Sequence, residues 1–223
     1  MIAMGAYSRD EKGIPGVVMV WDRRISDIPE WEPVFEREDV PMVIVGVSPM
    51  RQGPLQDFGT LLKYVMGNVC KSAPFFSPEH IIEKSPELHT ALMERVKEYH
   101  GMPMDMDFVV GGHDRNGIPF LFTVRISSDK DGALVDVVPV RAQEHFCVSR
   151  LGRRPWMEYL LPSEYLEVLK KYGEFMPEKL VVELLFEASF VLMKTWANIS
   201  GEMRGVIIKN KEIKKIDLEE IEF

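Results

Sequence analysis

Few side chains in this sequence stand in a spacing that does chemistry. The two thiols, Cys70 and Cys147, lie far apart and form no C-x-x-C pair, so neither a zinc site nor a disulfide framework is indicated. Each is expected to be a reduced, buried thiol: Cys70 falls on an amphipathic helical stretch, where it could act as a nucleophile only if a histidine reached it, and Cys147 falls in a strand-like run. His89, His100 and His145 are scattered, and His113-Asp114 falls in a turn cluster, with no H-E-x-x-H or comparable metal spacing. No metal and no cofactor are therefore expected, and the histidines read as surface or turn residues. Gly111-Gly112 is not a phosphate loop, because no helix-opening Gly-Lys-Ser/Thr follows; the pair reads as a point of close packing between strands. Arg150, Arg153 and Arg154 make one compact basic cluster, a candidate site for an acidic ligand or partner, against the plainer alternative of a solvated, salt-bridged loop.

The elements that must position these residues alternate in blocks. Two strand-like runs, 1–8 and 17–22, flank the turn-rich Asp10-Glu-Lys-Gly-Ile-Pro-Gly16 and predict a hairpin. Residues 41–47, Pro-Met-Val-Ile-Val-Gly-Val, are apolar and β-branched and predict a buried strand. Helical periodicity follows over 55–71 and again over about 79–99, where Ser77-Pro78 marks the start and Pro86 is a possible break. Strands are predicted at 107–112, 119–124, 133–140 and 144–149, then a helix around Trp156, Tyr159 and Leu160, then an apolar helix over 180–198 closed by Gly201 as a C-cap. Residues 206–208 and 212–216 predict a last hairpin. Strand blocks separated from helix blocks argue for an α+β fold of stacked layers rather than an alternating parallel sheet.

Composition narrows the class. A length of 223 residues with 46% hydrophobic side chains supports one substantial core, so residues 1–223 are read as a single domain. A formal charge of -8 argues against a nucleic-acid surface. Arg9 and Asp10 end the first apolar stretch too early for a signal sequence, and no run reaches membrane-spanning length, so a cytoplasmic location without membrane attachment is expected.

Several local sequences, in this order, resemble one family. Val17-Val-Met-Val-Trp-Asp-Arg-Arg-Ile-Ser26 resembles the second strand of proteasome β-type subunits. Phe108-Val-Val-Gly-Gly-His-Asp-Arg-Asn-Gly-Ile-Pro-Phe-Leu-Phe122 resembles their central hairpin, Val148 to Trp156 the loop entering the third helix, and Ile199 to Lys209 the closing Ser-Gly turn and strand. The resemblance implies the four-layer αββα sandwich of the N-terminal-nucleophile hydrolases, two antiparallel sheets flanked by helices.

What that family needs for hydrolysis is largely missing. Its nucleophile is a Thr, Ser or Cys at the start of the first strand, with the α-amino group as base; the resemblance places Met1 there, and Ile2 next, neither with a hydroxyl or thiol. The family lysine falls near Pro33, where no lysine occurs, and the acid that holds it falls on Asp22, for which a salt-bridged or turn-capping role is the simpler account. The small oxyanion loop becomes Arg150-Leu-Gly-Arg-Arg154, and the late Asp and Ser fall on Ala197 and Ser200, of which only the serine has survived. Met1, Asp22 and Ser200 are thus candidates for a vestigial site. The expected function is a non-catalytic proteasome-like subunit acting through assembly, as a homo-oligomer or ring. The alternatives are an active hydrolase with displaced chemistry, for instance through Ser8 after cleavage, and a small-ligand binding protein using the old cleft.

Overall fold

The computed structural model describes residues 3–24, 34–37, 42–47, 104–114, 116–128, 133–139, 146–149, 175–195 and 201–216, with the single residues 80, 83, 84, 86, 87, 90, 94 and 171. Eleven strands and one long helix are traced among them. The strands are β1 (Ala3–Arg9), β2 (Pro15–Arg24), β3 (Val34–Arg37), β4 (Met42–Val47), β5 (Met104–His113), β6 (Pro119–Ser128), β7 (Ala133–Pro139), β8 (Phe146–Ser149), β9 (Met176–Pro177), β10 (Gly201–Lys209) and β11 (Glu212–Lys215), and the helix is α1 (Glu178–Thr195).

They form two sheets. The first runs β11-β10-β2-β1-β8, with the two-residue β9 added parallel to β1; the second is an antiparallel meander in the order β3-β4-β5-β6-β7. Alternation along each strand decides what faces what. In the first sheet Ala3, Tyr7, Val17, Met19, Trp21, Val206 and Ile208 turn toward the second sheet, where Val43, Val45, Val109 and Leu121 meet them. The intervening Met4, Ala6, Val18, Val20, Met203 and Ile207 turn the other way and pack on Val181, Leu184, Leu185 and Ala188 of α1. Helix on sheet on sheet is the layering of the described residues.

Two features bring the sheets close. A Cβ at Gly111 would sit 2.6 Å from the Met19 sulfur and 3.1 Å from Val17 Cγ1, so the absence of a side chain admits the facing sheet. The close approach is therefore between sheets, where the sequence suggested neighbouring strands. Beside it, the buried Tyr7 hydroxyl on β1 accepts a 2.8 Å hydrogen bond from the Leu121 amide on β6, a polar tie across the layer.

The hairpins explain themselves chemically. Asp10-Glu-Lys-Gly-Ile14 and Asp114-Arg-Asn-Gly-Ile118 share one pattern and one geometry. In each, the Asp Oδ1 accepts from the amides two and four residues on, at 2.8–2.9 Å, and the glycine takes φ of +81° or +82°. The third turn, Asn210-Lys211, is a two-residue connection with both residues at positive φ. Gly117 and Lys211 lie in contact distance, so these two turns gather at one end of the sandwich.

Several expectations need correcting. Gly201, expected as a helix cap, instead opens β10 opposite Arg24. His113 is not a surface turn residue but the last residue of β5, 1% exposed, because the turn begins at Asp114. Met104 and Met106 lie within β5 rather than ahead of it, and β3 was not anticipated. His80, Glu83, Lys84, Pro86, Glu87, Thr90 and Glu94 are helical, in keeping with the second predicted helix; the predicted helices at 55–71 and around Trp156 lie outside the described residues. On the second sheet's far face Met42, Val110, Phe120 and Phe122 are buried, so that face too is covered.

Removing the Tyr7 hydroxyl tests the cross-sheet tie. Tyr7→Phe leaves the Leu121 amide buried without an acceptor and is expected to lower unfolding free energy by about 1–3 kcal/mol, read from urea denaturation; a loss under about 0.3 kcal/mol would show that the bond contributes nothing net.

Candidate functional site

Strand register gathers the candidate positions at one end of the first sheet. Ala3 pairs with Trp21 on one side and Ser149 on the other, Asp22 pairs with Met203, and Arg24 with Gly201. Met1 precedes β1 by two residues, Arg150 directly follows β8, and Ser200 directly precedes β10. Asp22 itself lies on β2, and its backbone is at this end. Met1, Arg150, Arg153, Arg154 and Ser200 lie outside the described residues, as do Pro33 and Ala197. So the strand ends that would carry the site converge, while its side chains are not part of the described structure.

One described side chain at this end is notable. Trp21 is 3% exposed, and its indole N–H has no hydrogen-bond partner. It stands in the layer between the sheets next to the start of β1, a donor left without an acceptor.

Ser8 is a different matter. It sits near the other end of β1, opposite Gly16 and Met176, on the helix side of the sheet. It is fully buried, and its Oγ has no hydrogen-bond partner. A chain beginning at Ser8 would also lack Met4 and Ala6 from the helix-side core and Ala3 and Tyr7 from the inter-sheet core.

The opposite end, with the turns, holds an ionic tie that joins three elements. Lys209 on β10 donates to both carboxylate oxygens of Glu178, at 2.9 Å each, and reaches Asp10 Oδ2 at 3.3 Å. One ammonium thus fastens the β1–β2 turn and the first turn of α1 to β10. Partial burial works to lower the Lys209 pKa, but the bonds and charge of Glu178 and then Asp10 outweigh it and hold the ammonium above its ordinary value. Asp10 is held below its usual range, first by the Ile14 amide. The three residues are 10, 178 and 209, so nothing in local sequence spacing announces the cluster.

His113 also belongs to this end. Neither ring nitrogen makes a hydrogen bond of good geometry. Burial pushes its pKa down; the nearby Pro15 carbonyl and Asp114 carboxylate oppose that, and the Lys211 cation adds to it. Among the described residues no group of His, Cys, Asp or Glu could hold a metal ion, and no helix is long and apolar enough to cross a membrane.

A depressed imidazole means that the folded state binds protons less readily than the unfolded chain. Stability is then unaffected by His113 above its ordinary pKa near 6.5 and falls as pH drops below it toward the folded-state value. Denaturation midpoints measured between pH 7.5 and pH 5, each on the order of one unit either side of that value, should decline in the wild type and decline less in His113→Gln. Equal slopes would show that His113 is not buried neutral.

No family model matches the chain, and no curated protein matches it significantly. Solved structures do. Anbu, the ancestral beta-subunit, from Yersinia bercovieri superposes with a TM-score of 0.60 at 8% identity, covering 98% of this chain and 88% of that one. Anbu from Hyphomicrobium sp. strain MC1 gives 0.57 at 11% identity over 98% and 88%, and its Gly-1 mutant 0.58 at 12% over 97% and 87%. The chain therefore has the proteasome-β-like, α+β fold of N-terminal-nucleophile hydrolases. At this identity the likeness concerns fold and carries no activity with it.

Proposed function

We propose that this protein is a non-catalytic proteasome-like subunit that works through assembly with further copies or related chains. The observation that carries the reading is the content of the first strand. In a fold whose nucleophile belongs at the beginning of that strand, residues 1–7 read Met-Ile-Ala-Met-Gly-Ala-Tyr and contain no Ser, Thr or Cys. The first hydroxyl of the right class, Ser8, is buried at the far end of β1 with no hydrogen-bond partner.

Three further points support it. The family lysine has no counterpart near Pro33, and the late aspartate is Ala197. Asp22 then has no lysine to hold, and with Ser200 it is a remnant of the site. Arg150, Arg153 and Arg154 replace a small loop by bulk and positive charge, which suits an acidic ligand or partner better than an approaching peptide carbonyl. The helical stretches at 55–71 and 79–99 would cover the buried far face of the second sheet, completing a four-layer αββα sandwich within one domain.

Two measurements test the reading. Gel filtration with in-line mass determination should show an oligomer at micromolar concentration, and a strict monomer would overturn the assembly role. A peptide-mimicking electrophile should leave the intact mass unchanged; stoichiometric labelling would establish an active nucleophile instead.

A further inference from the structure

At the turn end, remote from the Met1 end of the first sheet, lies an open pocket of about 730 Å³. Phe175 lines it, with its ring edge-on to Tyr7 at 5.8 Å between centroids, and the Arg9 guanidinium carbon lies 5.6 Å from the Phe175 ring centroid. Lys12 reaches it from the β1–β2 turn, and Lys179 from the first turn of α1.

The charges there are unequally committed. Asp10 and Glu178 are both taken up by Lys209. Arg9 and Lys12 are left without an acidic partner among the described residues, and Lys179 has only a 3.9 Å approach to Glu183. Glu11 also lines the pocket and has no cationic partner among the described residues. On a chain of net charge -8, three cations converge on an aromatic wall held in place by a rigid ionic tie.

We propose that this pocket docks an acidic peptide segment, and that the segment is residues 217–223 of a second copy of this chain. The inference rests on the assembly reading and names one of its contacts. Those residues read Asp-Leu-Glu-Glu-Ile-Glu-Phe, four carboxylates interleaved with three apolar side chains. The three cations come from a strand end, a turn and a helix, spread around an aromatic face. A small anion would meet one of them, whereas an extended acidic segment meets several and places an apolar side chain on Phe175. A second copy is taken as donor because β11 runs away from the pocket, pairing Glu212 with Lys209 at the turn end and Lys215 with Val206 further in, with the Ile216 amide on the Gly205 carbonyl beyond.

Charge reversal and its repair decide the matter. Self-association is measured by sedimentation at about 50 mM and about 500 mM salt for the wild type, Arg9→Glu/Lys12→Glu, Glu219→Lys/Glu220→Lys, and the four changes together. Each pair alone should weaken association at least about tenfold at low salt. The combined protein should recover most of it, and high salt should shrink both effects. In a second arm, labelled Asp-Leu-Glu-Glu-Ile-Glu-Phe peptide should bind the full-length wild type and not Arg9→Glu/Lys12→Glu. Displacement of the peptide by an equal concentration of pyrophosphate would show a simple anion site and overturn the peptide assignment.

If the wild type oligomerises and Arg9→Glu/Lys12→Glu does so equally, this contact falls and the assembly reading stands. A wild type that is monomeric throughout removes the assembly reading and the second copy as occupant with it. The peptide arm then decides alone whether the pocket takes acidic segments.

Discussion

The close contact between the two sheets is the constraint on which the rest of this structure depends. Sheets normally stack about 10 Å apart with side chains interdigitating, and here Met19 and Val17 press into the space where Gly111 has no side chain. That approach fixes the inward set: Ala3, Tyr7, Val17, Met19 and Trp21 from the first sheet against Val43, Val45, Val109 and Leu121 from the second. Register follows, since a slip of one residue would turn Met4, Val18 and Val20 inward and Tyr7 outward. The Tyr7–Leu121 bond locks the same register with a directional contact that hydrophobic packing alone does not supply.

Once register is fixed, the two ends of the sandwich acquire different characters. At one end β1 begins, β2 and β8 end and β10 begins, so positions far apart in sequence meet without any of them being neighbours along the chain. Asp22 lies on β2 at this end, and β8 and β10 bring Ser149 and Gly201 to the same edge. At the other end the turns gather, and a single ammonium, Lys209, ties turn, helix and strand together.

Much of this was legible beforehand. Alternation and turn chemistry located the two outer hairpins and the central strands, because period-two patterning and Asp-x-x-Gly turns act locally. The paired Asp-x-x-Gly-Ile sequences even carried the correction to His113: in both hairpins the aspartate starts the turn, so the residue before it closes the strand. β3 escaped notice because four residues following a proline give too short a pattern. Gly201 misled because a glycine after an apolar helix most often caps it, and only strand pairing with Arg24 overrides that expectation.

The sequence by itself determined which residues alternate, where the chain turns, and which side chains of the first strand could or could not act as a nucleophile, since these depend on covalent identity and on neighbours a few residues away. The tertiary structure alone decided that Ser8 is buried on the helix side with its hydroxyl unpartnered, that His113 lies in the core with neither nitrogen bonded, and that residues 10, 178 and 209 form one ionic tie. The physical reason is common to all three. Burial and charge pairing belong to distances between chain segments, and those distances exist only after two sheets and a helix have packed.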